Sequence, residues 1–152
     1  MSSAVVVAIA MLAGGIASAD MSKNVISAFR GQLVITKGEL PEGKNDADTI
    51  KRIKAERLTS ITGETSDEVT SWNFHYTAFL NKTGASSLKM EFYKDGKTYS
   101  ADKRLDGIDP KSGVLTGDIQ INEDEGLTKG KSYMIKLVSG STTVASTTLL
   151  MK

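Results

Sequence analysis

Alternation of apolar and polar residues dominates the chain from Gly31 onward. Between Trp72 and Leu80, five apolar side chains occupy every second position. Because a strand sends successive side chains to opposite faces, this spacing predicts a half-buried β-strand. Asp95-Gly96 predicts a two-residue hairpin turn, since both positions need positive φ. Seven strands are predicted in all, over residues 32–36, 69–80, 88–93, 99–105, 115–121, 133–138 and 143–151.

One segment, residues 38–67, breaks the strand pattern between the first two strands. Within it, apolar residues recur at helical spacing over residues 48–61. Asp46 or Asp48 is a suitable N-cap, and Gly63 is a suitable terminator. The predicted fold class is therefore an all-β, seven-stranded antiparallel sandwich with a short helical insertion.

The first nineteen residues carry no charged side chain. A ten-residue apolar run, residues 4–13, is followed by a glycine pair and by Ala17-Ser18-Ala19 before Asp20. This order is typical of a secretory signal peptide cleaved after Ala19. The apolar stretch over residues 4–19 is sixteen residues long, shorter than the roughly 20 residues that a membrane-spanning helix needs. We therefore predict a protein exported to the periplasm or the cell exterior.

The alternative is an N-terminal helix that is retained. A signal peptide normally opens with a basic residue, and this chain opens Met1-Ser2-Ser3. Apolar spacing also continues past the predicted cut through Val25 and Phe29. A helix over residues 3–30 would contact a membrane only through residues 4–19, or would pack into a filament as in pilin-like subunits. In the first hypothesis, residues 20–30 are an extension ahead of a domain spanning residues 31–152.

Composition limits the chemistry. The chain has no Cys, which removes disulfides, thiol nucleophiles and Cys-ligated zinc, and its single His removes any His-rich metal site. The net charge of +1 gives no field that favours nucleic acid. No cofactor motif is present, so we predict no cofactor and no nucleic-acid partner.

One segment resembles a known family. The run Leu127-Thr128-Lys129-Gly130-Lys131-Ser132-Tyr133 is similar to the approach to the penultimate strand in fibronectin type III and related immunoglobulin-like domains. There the Tyr hydroxyl bonds back to the preceding loop, so the resemblance implies structural roles for Leu127, Gly130 and Tyr133. Trp72 stands in the second strand, where fibronectin-type domains carry a core Trp. Lys129 departs from the family, which usually has Pro there.

Alternating strand directions divide the loops between two poles of such a sandwich. The insertion, the Asp95-Gly96 turn and the acidic loop near residues 122–125 then share one pole. This placement brings Glu123, Asp124 and Glu125 towards the basic side chains of the insertion. We therefore predict that those charges face one another; the basic residues are Lys51, Arg52, Lys54 and Arg57.

Candidate chemistry is sparse. His75 lies on the polar side of its strand, where we expect a surface histidine without a catalytic triad. Glu123, Asp124 and Glu125 are weak calcium candidates, because Gly126 occupies a position where a ligand is required. Residues 126–132 superficially resemble a phosphate-binding loop, but they lead into a strand instead of a helix.

Two surface features complete the candidates. Asn81-Lys82-Thr83 matches a glycosylation acceptor on a loop. Trp72, Phe74 and Tyr76 are expected in the core, while Phe79 and Tyr93 point to the opposite faces and are candidates for exposed aromatic contacts.

Together these patterns predict an exported, non-enzymatic β-sandwich that acts as a binding or structural module on a protein or cell-surface component. Sandwiches of this class serve as spacers, adhesion modules and enzyme accessories, so the fold alone does not give the function. A self-assembling filament or surface-layer subunit is the first alternative. A hydrolytic enzyme is the second alternative. It ranks last because the sequence shows no nucleophile, base and acid that would act together.

Overall fold

The computed structural model describes residues 21–80 and 85–152. The predicted signal peptide, its cleavage residues Ala17, Ala19 and Asp20, and the Asn81-Lys82-Thr83 acceptor lie outside the described residues. The described elements are α1 (Lys23–Phe29), β1 (Leu33–Thr36), α2 (Asp46–Glu56), β2 (Ser60–Ile61), β3 (Glu64–Ser66), β4 (Val69–Phe79), β5 (Leu88–Lys94), β6 (Thr98–Leu105), β7 (Val114–Asn122), a 3-10 helix (Glu123–Glu125), β8 (Lys131–Ser139) and β9 (Thr142–Met151).

The strands form two sheets. In the first sheet, β4 pairs with β7 along one edge and with β1 and β3 along the other. The second sheet has the order β2-β9-β8-β5-β6. All pairings between named strands are antiparallel except β2 with β9. The arrangement of β1-β4-β7 against β9-β8-β5-β6 is that of an immunoglobulin-like sandwich.

The strand count differs from the prediction. All seven predicted strands form, but the described residues contain nine, because residues 38–67 contribute β2 and β3. β2 lies beside the last strand, with Ile61 opposite Met151. β3 forms a hairpin with β4 through Asp67 and Glu68, whose φ angles are 52° and 67°. The insertion therefore extends both sheets.

The main core lies between the two sheets. The alternate apolar residues of β4, from Trp72 to Leu80, face inward and are buried. Phe92, Ile135 and Leu149 meet them from the second sheet. The predicted inward stripe is thus the central layer of the sandwich. The Trp72 indole N–H donates to the carbonyl oxygen of Lys152 at 2.9 Å.

Tyr133 makes the contact that the family resemblance implies. Its side chain is fully buried, and its hydroxyl oxygen accepts a hydrogen bond from the backbone N–H of Thr128 at 2.7 Å. Leu127 is buried in the same core. Gly130 has a φ of 85° and donates its N–H to the carbonyl oxygen of Met151. The loop before β8 is therefore held by the side chain of Tyr133 and by the backbone hydrogen bond of Gly130.

A second, smaller core lies on the outer face of the first sheet. Val25 and Phe29 from α1 and Ile53 from α2 pack on Val34 and Phe79 of the sheet. The rings of Phe29 and Phe79 are 5.2 Å apart between centroids. The molecule therefore has three layers at this end, with helices over one sheet of the sandwich.

The helix of the insertion is shifted from its predicted position. α2 spans Asp46–Glu56, and its N-cap is Asn45, whose side chain accepts a hydrogen bond from the Asp48 N–H. Neither predicted cap residue caps it. Asp46 instead accepts hydrogen bonds from Ser22 and from Asn24, which join α2 to the start of α1. The helix ends before Gly63 because the chain turns into β2.

Within the described residues, the helix predicted over residues 3–30 is interrupted at Ser22. Ser22 has an extended backbone and caps α1, with its hydroxyl oxygen accepting from the Val25 N–H. Val25 and Phe29, whose spacing suggested the longer helix, are buried against the sandwich. Residues 21–30 therefore pack on the domain. The part of that hypothesis before Met21 lies outside the described residues.

The β5–β6 turn has the predicted backbone but a longer loop. Asp95 and Gly96 both have positive φ, at 53° and 75°. The strands close with Lys94 opposite Thr98, so three residues separate them. A register shift after Phe92 accommodates the extra residue.

The Tyr133 hydroxyl is expected to contribute measurably to stability. Replacing Tyr133 with Phe leaves the Thr128 N–H without its acceptor, so the free energy of unfolding should fall by about 1–2 kcal/mol. Tyr93→Phe is the matched control, since the Tyr93 hydroxyl donates to Glu91 on the outer surface. Denaturant unfolding of both variants provides the measurement. Equal losses in the two variants would contradict a special role for Tyr133.

Gly126 should tolerate substitution less well than Gly130. Both have positive φ, at 120° and 85°. A Cβ at Gly126 would overlap the carbonyl oxygen of Ser100, whereas one at Gly130 meets nothing within 4 Å. Gly130→Ala should lower the unfolding free energy by about 1–2 kcal/mol, and Gly126→Ala by about 3 kcal/mol or more. Thermal unfolding tests this order, and similar losses would show that the Ser100 contact is unimportant.

Candidate functional site

The only imidazole of the chain lies in a hydrogen-bonded row on the outer face of the first sheet. His75 of β4 stands opposite Asp118 of β7. Its Nδ1 is 3.0 Å from a carboxylate oxygen of Asp118, and its Nε2 is 3.0 Å from the Thr116 hydroxyl. A carboxylate only accepts, so with a neutral ring Nδ1 carries the proton and Nε2 accepts from Thr116. Both ring nitrogens therefore have protein partners.

His75 is not the surface histidine that the sequence predicts. It does lie on the polar face of β4, but it is only 8% exposed. Thr36, which pairs with it from β1, and the neighbouring Thr77 are buried as well. The prediction was wrong because β1 and β7 flank His75 on both sides, and side chains of β7 engage both of its ring nitrogens. Alternation assigns a residue to a face but does not show what covers that face.

A shallow polar depression adjoins this row. Its volume is about 460 Å³, and it is lined by Lys37, Asn73, Phe74, Asp118, Ile119 and Gln120. The depression lies over β4 and β7. On the inner face of the same sheet, burial raises the pKa of Tyr76 to about 12, and the negative charge of Asp118 contributes to a smaller extent.

Thr116, His75 and Asp118 have the connectivity of a catalytic triad. In such a triad a buried carboxylate orients an imidazole that must reach the substrate. Here the exposures are reversed, since the His75 side chain is 10% exposed and that of Asp118 is 79% exposed. The row therefore suits a cross-strand contact that fixes β7 on β4 better than it suits proton transfer to a substrate.

The acidic loop forms a short 3-10 helix that is capped at its N-terminus by Asn122. Asn122 accepts from the Asp124 N–H while Glu125 accepts from the Asn122 N–H, which forms a capping box. Glu123 accepts from the Thr70 N–H at 2.7 Å. Glu125 also pairs with Lys103. In the described ranges, no group of three or more His, Cys, Asp or Glu side chains is placed to hold a metal ion.

The predicted contact between the acidic loop and the basic residues of the insertion does not form. Arg52 pairs with Asp48, and Arg57 donates to Gln32. The reason is the apolar side of α2, which places Ile53 on Phe79 at the other end of the sheet. Burying one such side chain gives about 1.5–3 kcal/mol, whereas a surface ion pair gives about 0–1 kcal/mol.

The two candidates for exposed aromatic contacts have different outcomes. Phe79 is fully buried, because α1 covers it, so this prediction was wrong. Tyr93 is half-buried on the outer face of the second sheet, 5.6 Å from Tyr99 between ring centroids. The Lys136 ammonium lies 4.6 Å from the centre of the Tyr93 ring. Tyr99, which the sequence analysis did not single out, is 48% exposed.

The segment that superficially resembles a phosphate-binding loop connects the 3-10 helix to β8. It enters a strand, as the sequence indicates, so it has no helix N-terminus to bind phosphate. Among the described helices, none is long and apolar enough to cross a membrane.

Comparison with known proteins gives a similarity to a solved structure and no activity. No protein-family model matches the chain. Curated proteins give no match either. Among solved structures, the chain is similar to an immunoglobulin-like protein from Pseudomonas aeruginosa, with 11% sequence identity and a TM-score of 0.38, over 80% of this chain and 97% of that one. The assignment to the immunoglobulin-like class rests on the strand order of the two sheets.

The Thr116 hydroxyl is expected to stabilise the sheet. Thr116→Val keeps the side-chain shape but leaves the buried Nε2 of His75 without its partner, so the unfolding free energy should fall by about 1–2 kcal/mol. Thr148→Val, on an exposed position of β9, is the control and should change it by less than about 0.5 kcal/mol. Denaturant titration of both variants is the measurement. An unchanged stability for Thr116→Val would contradict a structural role for the row.

Proposed function

We propose that this protein is an exported, non-enzymatic immunoglobulin-like module that binds or supports another protein or a cell-surface component. The observation that carries the proposal is the use of the single imidazole. Both nitrogens of His75 are engaged by neighbouring strands, and its side chain is 10% exposed. The group best suited to general base catalysis near neutral pH thus contributes to packing of the sheet.

Self-sufficient packing allows a role outside the cell without disulfides. The sandwich is held by one continuous apolar core, with a second core beneath its helices. A chain without Cys depends on such packing, since it has no disulfides to add stability in an oxidising compartment. The uncharged residues 1–19 supply the export signal in this proposal.

The filament hypothesis needs its assembly contacts from another part of the chain. Val25 and Phe29 face the domain and are almost fully buried, so they are not free to pack on a neighbouring subunit. A retained N-terminal segment would therefore assemble through residues before Met21. Export with cleavage and retention for assembly differ in one measurable property, which is the first residue of the mature protein.

The mature N-terminus tests the proposal. Expression in a bacterium with an intact secretion pathway, followed by intact-mass analysis of the secreted or periplasmic fraction, should give a chain that begins at Asp20. The matched control is Ala17→Arg with Ala19→Arg, which places large charged side chains where a signal peptidase needs small ones. This variant should remain uncleaved. A native protein that keeps Met1 or Ser2 would overturn cleavage and would favour the retained segment.

A further inference from the structure

β6 and β7 are the edge strands on one side of the sandwich, and they are protected to different extents. β6 ends the second sheet, and β7 is an outer strand of the first. β6 carries Lys103 and Arg104, and the loop at Gly126 lies against its Ser100 carbonyl. Charged residues and covering loops are the usual protection of an edge strand. β7 contains no Lys, Arg or Pro and one charged residue, Asp118, and its nine-residue pairing with β4 has no register shift.

The hydrogen bonds at the end of β4 show which groups of β7 face outward. Leu80 donates its N–H to the carbonyl oxygen of Gly113. In an antiparallel ladder, hydrogen-bonded pairs alternate with pairs that are not hydrogen-bonded. Leu115, Gly117 and Ile119 therefore bond to β4. The intervening residues of β7 direct their N–H and C=O groups away from the sheet; they are Thr116, Asp118 and Gln120.

The ends of this edge are satisfied, while its centre is open. The outward N–H of Val114 donates to the Ser112 hydroxyl oxygen, and that of Asn122 donates to Glu125. For Thr116, Asp118 and Gln120, the described residues provide no partner for the outward backbone groups. A row of unpaired N–H and C=O groups on a regular strand is a template for another strand.

We propose that β7 pairs antiparallel with β7 of a second copy of this chain, so that the first sheet continues across a two-fold axis. The observations behind this occupant are the open central edge and its self-complementarity. The net charge of +1 also gives little repulsion between copies. The inference depends on the fold alone and does not require export or a non-enzymatic role.

The register follows from charge and from the capped ends. Pairing Asp118 with Asp118 of the second copy would place like charges opposite one another, which is destabilising. A shift towards Asn122 would collide with the 3-10 helix that begins at Glu123 and whose side chain holds the Asn122 N–H. A central register with its axis at Gly117 meets both conditions and places Thr116 opposite Asp118 of the second copy. Leu115 then meets Ile119 of the second copy on the inner face.

A matched pair of substitutions tests the edge itself. Asp118→Pro removes an outward N–H, and Asp118→Ala removes the same carboxylate but keeps the N–H. Sedimentation equilibrium of the full chain, at concentrations up to the millimolar range, should show a monomer–dimer equilibrium. Asp118→Pro should weaken the dimer by at least about tenfold relative to Asp118→Ala.

The register is tested without relying on the proline variant. Because the chain has no Cys, Thr116→Cys and Asp118→Cys can each be made as the only thiol. An equal mixture should oxidise to a heterodimer faster than either variant forms its homodimer, since paired residues bring their Cβ atoms within about 5.5 Å.

Three results would overturn the proposal. The first is a chain that stays monomeric up to the millimolar range, including one whose edge is filled by an extended segment of a different protein. The second is a dimer that Asp118→Pro and Asp118→Ala weaken equally, which would place the contact on the carboxylate or on another surface. The third is cross-linking in the thiol mixture that is no faster than in the separate variants.

Discussion

The structure depends on β4 being buried on both faces. Every residue from Phe74 to Phe79 is buried, and strands pair with both edges of β4. The inward side chains are covered by the second sheet. The outward side chains at Phe79 need a separate cover, which α1 and α2 provide through Phe29 and Ile53. A two-layer sandwich would leave Phe79 in water, so the helical layer is a consequence of this one strand.

The same constraint explains the polar row beside it. Polar groups buried next to an apolar layer need hydrogen-bond partners, because an unpaired one costs about 1–3 kcal/mol. His75 obtains its partners from Asp118 and Thr116. The outer face of β4 thus changes along its length from apolar contacts under the helices to hydrogen bonds near the depression. These hydrogen bonds also hold β7 on β4, because β7 carries both partners of the imidazole.

Strand alternation and turn chemistry predicted most of the fold. Contacts between residues that are distant in the sequence were not predicted. The seven main strands, the inward position of Trp72 and the positive φ of Asp95 follow from local patterns. β3 could not be predicted, since its turn uses Asp67 and Glu68, which seldom adopt positive φ. Burial of His75 was missed for another reason, because Thr116 and Asp118 come from a strand about 40 residues away.

Hydrogen bonds from Ser22 and Asn24 to Asp46 join α1 to α2, and this dependence of α1 on later residues has a consequence for the order of folding. α1 has only seven residues, well below the length at which an isolated helix persists in water. Its docking surface includes Phe79 and Val114, which lie about 50 and 85 residues later in the chain and are synthesised after it. The helical layer must therefore assemble after the sheet it covers.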